Sequence, residues 1–462
     1  MEFKRLGKDV EKIRKYLEQS EISFCDISVG AKYMWRDEYL IDYIIISDTL
    51  IMKEKGPDYE DFFYYPMGAD VEGALKEIEK YFKERFKPLQ FCCIDDAHAK
   101  ALSERYYQAE VESEEDWNDY IYEAEKFRTY SGKKLSGQRN HVNKFKKLYP
   151  NYKVKLVQNS DLERIREFLT DYKSGLEGEK AEEAEIAFDL IANMEKLQQV
   201  GAYIEVDDKM VALSVGEVVG DTLIVHIEKA LVCYDGVYPT MAQEFAKAFT
   251  DDNVTLINRE EDCGDLGLRT SKRQYRPKEI KAKNSVIVKT LFDKILSPIN
   301  IKTERLVIRD FEEKDKEAYA KLYLDDELNK LWGYDYREDL NGEKPTPDYF
   351  YRFQQSLKDK KEEYALAVEE NGRLVGELVL HNFDYEGGVE MGFRFFRDCQ
   401  GKGYATESAS ALKRFAFEKL NATRVKSRCY KENNPSHRLI ERLGLKQVRE
   451  DDTHYYFAIE RE

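Results

Sequence analysis

The order of apolar and polar residues in the N-terminal hundred residues indicates mixed α/β structure. The segment 40–54, YLIDYIIISDTLIMK, is rich in β-branched residues and predicts two paired strands. Segments 70–86 and 97–107 repeat apolar residues at helical spacing and predict helices, the first of which starts at an acidic cap. Between them, the short apolar run 89–95 predicts a buried strand.

The same alternation continues through the rest of the chain. Three antiparallel strands are predicted at 202–206, 210–219 and 221–230, followed by a helix at 239–249 and a further strand at 254–258. A proline and a new strand after residue 296 place a boundary near 297. In the last segment, strands are predicted at 302–311, 389–396 and 423–430, helices at 314–324, 405–420 and 434–444, and a hairpin at 364–383. The hairpin turns at Asn371-Gly372.

Composition narrows the class of protein. A chain of 462 residues suggests roughly three domains at ~150 residues each. Hydrophobic residues make up 42% and the net charge is −16, which predicts a soluble globular protein and argues against whole-surface binding to nucleic acid or anionic membrane. The seven cysteines include no CxxC pair, so we expect buried thiols in a reducing cytoplasm and no metal site. No apolar run approaches the ~20 residues of a membrane helix.

One strongly basic segment interrupts this acidic chain. Residues 131–160 contain no Asp or Glu. Its basic residues are Lys133, Lys134, Arg139, Lys144, Lys146, Lys147, Lys153 and Lys155. Either this segment is a solvated amphipathic helix, or it binds an anionic substrate such as tRNA.

The most informative short motif is QGKGYA, residues 400–405, between a predicted strand and a predicted helix. Glycines allow close approach of a ligand to the backbone, and the first N–H groups of a helix point outward, so this arrangement favours anion binding. Together with EMGFRFF (390–396) and ENNPSHRLIERLGL (432–445), the motif makes residues 298–462 resemble the GNAT acetyltransferases, in particular the ribosomal-protein N-acetyltransferase subgroup.

The resemblance implies acetyl-CoA as cofactor and assigns residues to it. The pyrophosphate would lie on the backbone amides of Gln400, Gly401, Lys402, Gly403, Tyr404 and Ala405. The pantetheine arm would pair with the strand backbone at Phe393, Arg394 and Phe395, beside Asn433. Ser436 would lie near the thiol.

The implied reaction is direct attack of an amine on the thioester, which requires a base to remove a proton from the amine. Glu390 is the first choice, with His381 and Glu377 as alternatives. Many family members place a tyrosine seven residues after the asparagine to protonate the leaving thiolate, but this chain has Ile440 there. The acid is therefore Ser436, another hydroxyl such as that of Tyr430, or solvent.

Residues 1–295 resemble a second family, the C-terminal region of phosphatidylglycerol lysyltransferase. The resemblance rests on three blocks, 131–147, 226–245 and 257–277. It implies paired GNAT-like lobes, and named members transfer an aminoacyl group from tRNA to a lipid. Those members carry an upstream membrane domain that this sequence lacks before Met1, so a lipid acceptor is not expected.

An internal comparison predicts that the second lobe does not hold CoA in the standard way. Aligning residues 226–241 with 390–407 sets Gly236 against Gly401 and Tyr238 against Gly403. A charged set near the strand at 254–258 forms either a site for a zwitterionic or aminoacyl substrate, or a salt-bridge network. Its members are Glu228, Lys229, Arg259, Glu261, Arg269 and Lys272.

The overall expectation is an α/β protein of three GNAT-like units, each a mixed, largely antiparallel sheet flanked by helices. The predicted units are 1–128, 129–297 and 298–462. The predicted function is N-acetyl transfer from acetyl-CoA to an amine of a small molecule or protein N-terminus, with a tandem module that selects the substrate. The alternatives are an aminoacyl-tRNA-dependent transferase and a non-catalytic N-terminal binding module. The sequence does not indicate the oligomeric state.

Overall fold

The computed structural model describes residues 1–55, 61–173, 179–340 and 342–461. The chain divides into two compact units. The first contains Met1–Ile78, Gln90–Ala101 and Val111–Val286, and the second contains Glu79–Leu89, Leu102–Glu110 and Ile287–Glu462. Three mixed β-sheets flanked by helices confirm the predicted α/β class.

The N-terminal segment supplies most of the first sheet. Its strands are β1 (Lys4–Arg5), β2 (Asp42–Ile46), β3 (Thr49–Glu54), β4 (Phe62–Phe63), β5 (Met67–Gly68), β6 (Leu89–Ile94) and β7 (Ala109–Ser113). Its helices are α1 (Arg14–Glu18), α2 (Val29–Met34), α3 (Val71–Lys83) and α4 (Asp96–Arg105). The predicted strand pair at 40–54 is confirmed as β2 and β3, and the two predicted helices are confirmed as α3 and α4.

The following segment builds the second sheet. Its strands are β8 (Asp119–Glu123), β9 (Lys153–Leu156), β10 (Val200–Val206), β11 (Lys209–Val219), β12 (Thr222–Ala230), β13 (Leu256–Asn258) and β14 (Glu279–Lys281). Its helices are α5 (Ala124–Thr129), α6 (Ser136–Leu148), α7 (Leu162–Lys173), α8 (Glu179–Ala192), α9 (Val237–Phe249) and α10 (Leu266–Gln274). The predicted run of three antiparallel strands is confirmed as β10, β11 and β12.

Two strands are exchanged between these sheets. The chain reaches β15 (Asn284–Val288) after the second sheet, but β15 lies between β6 and β7 in the first. Conversely, β8 precedes the other strands of the second sheet and pairs with β13 and β14. The division into 1–128, 129–297 and 298–462 stays a prediction, and the exchanged strands cross its first boundary in both directions.

A buried lysine lies where the two exchanged strands begin. Lys283 immediately precedes β15, and Asp119 is the first residue of β8. The Lys283 Nζ lies 2.8 Å from Asp119, 2.5 Å from Asp26 and 3.1 Å from Glu261. Burial alone would lower the pKa of the Lys283 ammonium, but Asp119 and Asp26 raise it well above its usual range. Asp119 also accepts hydrogen bonds from the Cys25 N–H and from Asn258 Nδ2.

A second buried ion pair joins helix α2 to the second sheet. His226 of β12 contacts Glu217 through Nε2 at 2.9 Å and Glu260 through Nδ1 at 2.7 Å, and Glu217 accepts the N–H of Gly30. A Cβ on Gly30 would lie 2.4 Å from the imidazole, so only glycine permits this approach. Burial alone would lower the pKa of His226, but the two carboxylates raise it to about 10.

The second unit holds the third sheet. Its strands are β16 (Asn300–Lys302), β17 (Val307–Asp310), β18 (Glu363–Glu370), β19 (Arg373–His381), β20 (Gly388–Phe395), β21 (Arg424–Tyr430), β22 (Lys446–Glu450) and β23 (His454–Glu460). Its helices are α11 (Lys316–Leu324), α12 (Asp326–Asn329), α13 (Pro347–Asp359), α14 (Tyr404–Glu418) and α15 (Asn434–Arg442). The predicted hairpin is confirmed as β18 and β19. The single strand predicted at 302–311 is wrong, because a turn from Thr303 to Leu306 divides it into β16 and β17.

Replacing Lys283 with methionine should destabilise the first unit. The change would leave three carboxylates buried beside one another without a counter-charge, and breaking a buried pair in this way costs about 3–5 kcal/mol. Urea unfolding of the full chain measures the loss. The matched control is Lys281→Met, because Lys281 makes no ion pair within the described ranges; its Nζ donates to Ser23 Oγ at 2.7 Å and lies 5.1 Å from the centre of the Phe24 ring. Equal losses in the two variants would contradict a structural role for the Lys283 charge.

Candidate functional site

The loop between β20 and α14 forms a cradle of backbone amides. Gly401 and Gly403 have φ values of +74° and +85°, and α14 begins directly after Gly403. The first N–H groups of a helix have no intrahelical partner, and in α14 the N-cap residue, Gly403, supplies no side-chain cap either. Within the described ranges, a Cβ at Gly401 would meet no atom within 4 Å. The space in front of these amides is therefore open to a ligand.

The remaining residues of the predicted loop differ in what their side chains do. Gln400 donates from Nε2 to the carbonyl of Phe395 at 3.2 Å and so fixes the start of the loop. Tyr404 is buried and its hydroxyl binds Glu370. Lys402 is exposed, and Ala405 lies in the first turn of α14. Only the backbone of this loop is thus placed to meet a ligand, together with the Lys402 side chain.

Arg305 is a cation beside the loop that sequence analysis missed. Its Nη1 donates to the Lys402 carbonyl at 3.0 Å, and its guanidinium lies over the Tyr404 ring at 4.9 Å. Glu407, in the first turn of α14, accepts from its Nε at 2.7 Å. The spacing of about 100 residues hides this contact from any local pattern. Arg305 holds the loop in shape and places a positive charge at its edge.

Strands β20 and β21 pair in parallel and then part. The pairing joins Gly388–Glu390 to Arg424–Lys426. Beyond Glu390, the remainder of β20 has no strand partner on its β21 side among the residues described. One side-chain bond, from Ser427 Oγ to the Met391 carbonyl, crosses the start of this gap. Phe393, Arg394 and Phe395 lie along this free backbone edge, as the resemblance implies for a pantetheine contact.

The Arg394 side chain turns away from that edge into the core. Its Nη2 lies 2.5 Å from Glu377, and its guanidinium lies between the rings of Tyr323 and Trp332. Nη1 binds Asn329 at the end of α12. Glu377, an alternative base in the sequence analysis, is therefore fully buried and occupied by this ion pair.

Glu390 lies where the strands part. Its Oε2 accepts from Asn382 Nδ2 at 3.0 Å, and its Oε1 is 3.3 Å from Arg428 Nε and 3.8 Å from His381 Nε2. Burial lowers the pKa of the His381 imidazole, which favours its neutral form. The structure thus brings together the first-choice base and one of its alternatives.

The residues after β21 surround the far end of the gap. Asn433 caps α15, since its side-chain oxygen accepts the N–H of Ser436 at 3.2 Å. The Ser436 hydroxyl and the Tyr430 hydroxyl form no hydrogen bond within the described ranges, so each has a proton available. Ile440 is completely buried in the core.

Glu363 is a second residue that the sequence did not single out. It begins β18 opposite His381, and burial together with the nearby Glu377 raises its pKa to about 8. Such a carboxyl group is largely protonated at neutral pH. Periodicity could not reveal it, because a glutamate at the start of a strand is usually exposed and ionised.

In the second lobe the corresponding loop is shaped differently and is covered. Gly236, with φ of +83°, precedes α9 as Gly403 precedes α14. The sequence alignment of Gly236 with Gly401 is therefore wrong by two residues, and Tyr234 takes the place of Gly401. A Cβ on Gly236 would lie 2.3 Å from the His141 carbonyl of α6. Helix α6 thus packs directly against Gly236, whereas a Cβ at the corresponding Gly403 would have, among the described residues, only Arg305 Nη2 within 4 Å, at 3.3 Å.

The gap between β12 and β13 is bridged by an ion pair. These strands pair only from Thr222–Ile224 to Leu256–Asn258. Past that point Arg259 Nη2 binds Glu228 at 2.7 Å, and its guanidinium lies over the Tyr275 ring at 4.6 Å. Arg259 Nη1 is buried and has no hydrogen-bond partner among the residues described. The pair thus lies across the gap between β12 and β13 and leaves one buried donor without a hydrogen-bond partner among the residues described.

Arg269 and Lys272 hold the loop after β13 through contacts within the protein, as the alternative to a substrate site requires. Arg269 binds Asp262 through Nε at 2.9 Å and through Nη2 at 2.7 Å, and also contacts Asp116. Lys272 Nζ donates to the carbonyls of Arg259, Glu260 and Glu261. Burial lowers the pKa of this ammonium. Both side chains hold the loop after β13 in place, and their binding of substrate stays a prediction.

Lys229 and Glu261, the remaining residues of the predicted charged set near β13, contact different neighbours. Lys229 Nζ lies 2.5 Å from Glu183. Glu261 belongs to the Lys283 cluster, where burial raises its pKa. In that cluster the possible ligand atoms of Cys25, Asp26, Asp119 and Glu261 lie within 4.8 Å of one another, but the Lys283 ammonium already contacts all four. Cys25 is buried as expected, whereas Cys233 and Cys263 are exposed.

The basic segment is partly neutralised by its own lobe. Lys144 pairs with Asp235, Lys146 with Glu244 and Lys155 with Glu205. Lys133, Lys134 and Lys147 are exposed and have no acidic partner within the described ranges. Contact with tRNA stays a prediction, supported by these three side chains. Of the helices in the described part of the chain, none has the length and apolar character needed to cross a bilayer.

Two family models match the chain. The phosphatidylglycerol lysyltransferase C-terminal family matches residues 18–284, and the acetyltransferase (GNAT) domain matches residues 305–446. An uncharacterized N-acetyltransferase of Bacillus subtilis, YnaD, is 28% identical over 156 residues, which cover 32% of this chain and 84% of that protein. Protein MYCGA3080 of Mycoplasmoides gallisepticum is 28% identical over 217 residues, covering 46% and 67% of the two chains.

A solved structure resembles the larger part of the chain. The crystal structure of a conserved protein of unknown function from Bacteroides thetaiotaomicron is 26% identical and has a TM-score of 0.58. It covers 62% of this chain and 99% of its own. These similarities confirm both resemblances found in the sequence.

Proposed function

We propose separate functions for the two parts of this chain, which belongs to the phosphatidylglycerol lysyltransferase C-terminal family and carries a GNAT acetyltransferase domain. The acetyltransferase domain makes the protein an acyltransferase. The C-terminal domain, residues 298–462, transfers acetyl from acetyl-CoA to an amine of a small molecule or a protein N-terminus. The two N-terminal lobes select the substrate. The observation that carries the proposal is the open amide cradle at Gly401, which continues into the free edge of β20.

The residues around the cradle fit acetyl-CoA. The amides of Gln400 to Ala405 would hold the pyrophosphate, the backbone of Phe393, Arg394 and Phe395 would pair with the pantetheine arm, and Asn433 would lie beside that arm. When bound, acetyl-CoA supplies an acetyl group activated as a thioester. Arg305 adds positive charge next to the phosphates. The positive φ of two glycines and a helix N-terminus without a side-chain cap suit a phosphate-bearing ligand.

Proton transfer falls to Glu390 and its neighbours. An acceptor ammonium that enters where β20 and β21 part would meet Glu390 Oε1, which takes its proton. The neutral imidazole of His381, 3.8 Å from that oxygen, can accept the proton in turn. Ser436 or Tyr430 then donates a hydroxyl proton to the departing sulfur, with solvent as the alternative.

Replacing Gly401 with alanine should weaken acetyl-CoA binding at least about 10-fold, equivalent to 1.4 kcal/mol. The added Cβ meets no protein atom, so it would occupy ligand space alone. Gly372→Ala is the matched control, because Gly372 also has positive φ and open surroundings but lies in the hairpin turn. Calorimetric titration of acetyl-CoA into the full chain measures both. Gly403→Tyr, a bulkier change in the same loop, should abolish binding. Unchanged binding in both loop variants would exclude this loop as the cradle.

Replacing Glu390 with glutamine should lower kcat by about 10²–10⁴-fold while acetyl-CoA binding persists. The amide keeps the side-chain shape but cannot accept the proton of the acceptor ammonium. The control is Glu386→Gln, at an exposed glutamate in the turn before β20. Steady-state acetylation with a titrated amine and calorimetry with acetyl-CoA separate the two effects. Full activity in Glu390→Gln would transfer the role of base to His381.

We also infer a second function for the N-terminal region, an aminoacyl transfer that uses aminoacyl-tRNA. The alternative is that this region binds the same kind of substrate without catalysing a reaction. The buried, unpartnered Arg259 Nη1 favours this second function. A carboxylate or ester oxygen would satisfy this donor, and the neighbouring Glu228 would attract the amino group of the same molecule. Both forms of the proposal require that an amino acid or aminoacyl group bind between β12 and β13.

Replacing Arg259 with lysine should weaken amino-acid binding about 10-fold or more, since the charge facing Glu228 remains but the Nη1 donor is lost. The measurement is calorimetry with free L-lysine and L-alanine on the full chain. Arg276→Lys, at an exposed arginine two residues after α10, is the control. If wild type binds neither amino acid, or if Arg259→Lys binds as wild type does, the site between β12 and β13 does not take an amino acid.

A further inference from the structure

The surface next to Glu390 is an open sheet face with two arginines. Arg428 follows on the neighbouring strand β21, with Nε 3.3 Å from Glu390. Arg428 of β21 and Arg449 of β22 are both register partners of Tyr456 on β23, the strand that lies between β21 and β22. The Arg449 guanidinium stacks on the Tyr456 ring at 4.0 Å. Glu390, Arg428, Tyr456 and Arg449 therefore form one continuous row across the third sheet.

Most of the guanidinium donors of these two arginines have no partner within the described part of the domain, apart from the contact of Arg428 Nε with Glu390. Other arginines of this unit are fixed by carboxylates, as Arg309 is by Asp315 and Arg394 by Glu377. Over the described ranges, by contrast, Arg449 makes no ion pair and donates no hydrogen bond, and neither Nη atom of Arg428 donates one. Arg428 is about half exposed, at 48%. The Nη donors of Arg428 thus lie next to the proposed base, and the exposed guanidinium of Arg449 lies two strands further along the same sheet.

Two acidic groups near this row already have partners. Asp451 accepts the Tyr456 hydroxyl at 2.6 Å and the N–H groups of Thr453 and His454 in the turn before β23. These bonds hold the pKa of Asp451 well below its usual range. Glu450 contacts Lys431 at 3.4 Å. The Asp451 bond also fixes the Tyr456 ring on which Arg449 stacks.

The chain after α12 borders the same end of the sheet. A Cβ on Gly333 would lie 2.8 Å from the Tyr430 hydroxyl, and a Cβ on Gly392 would lie 3.1 Å from the Trp332 ring. This segment therefore lies against the ends of β20 and β21, at the parting where the acceptor amine enters. An acceptor seated at Glu390 has the Trp332 segment on one side and the arginine row on the other.

From this geometry we infer that the acceptor is an amine that also carries an oxyanion, a carboxylate or a phosphate, held by Arg428 and Arg449 while its amino group faces Glu390. The inference rests on the proposed acetyl transfer. Guanidinium forks bind such oxyanions in two-point fashion, and stacking on a fixed tyrosine keeps the fork oriented. Glu390 would repel a second negative charge, so it orients the amine end toward itself.

The test compares acceptors that differ only in the oxyanion. Phosphoethanolamine is paired with ethanolamine, and β-alanine with its amide, so the two arms distinguish phosphate from carboxylate. Wild type should give a kcat/KM about 10-fold or more higher for one anionic member than for its neutral partner. Arg449→Gln and Arg428→Gln should each reduce this ratio by about 10-fold, through KM. Arg442→Gln, the same change on exposed α15, is the control and should keep the ratio.

A second readout does not depend on turnover. Calorimetric titration of phosphoethanolamine and β-alanine into the full chain with CoA present should detect binding that Arg449→Gln weakens and Arg442→Gln does not. Equal kcat/KM for neutral and anionic partners, or no binding of either anionic amine, overturns the inference. If neutral amines are acetylated well in that case, the proposed acetyl transfer survives. Absence of both acetyl-CoA binding and acetylation would reject the proposed function itself.

Discussion

The architecture of the first unit depends on the buried contact between Lys283 and Asp119. Each residue marks the start of a strand that crosses into the other sheet, and the two charges meet at 2.8 Å. A buried ion pair often stabilises a protein less than apolar side chains of similar volume would, because both charged groups lose their hydration. It does fix which segments meet, since a shift of either strand would leave a charge buried alone. Here it joins β8, β15, the Cys25 loop and the loop after β13 at one point.

The same sheet topology leads to opposite outcomes in two lobes. In both, a pair of parallel strands separates after three residue pairs, and a glycine with positive φ starts the following helix. In the C-terminal domain the gap and the loop stay open. In the second lobe Arg259 and Glu228 bridge the gap, and α6 covers the loop. Side chains and one packed helix, not the fold, thus decide which lobe keeps an open strand edge and an open loop.

The sequence predicted the parts that are encoded locally. Hydrophobic periodicity identified most strands and helices, and the glycine motif identified the cradle, because both depend on neighbouring residues. The sequence could not predict that β8 and β15 change places, since strand pairing between distant segments, such as Glu123 of β8 with Leu256 of β13, leaves no local pattern. Arg305, Arg428 and Arg449 were missed for the same reason. The loop alignment failed by two residues because it matched glycines in order, whereas the helix start determines which glycine is equivalent.

Arg394 shows how the cofactor edge and the acceptor side of the domain are linked. Its backbone lies on the free edge of β20, while its guanidinium is buried against Glu377 and between Tyr323 and Trp332. Its bond to Asn329 fixes the end of α12, and the segment that follows lies against Tyr430 and Gly392. Glu377 keeps one oxygen without a partner among the described residues, so the pair is not optimised for stability alone. Its effect is to hold the edge that would bind the pantetheine arm and the segment beside the acceptor in one fixed relation.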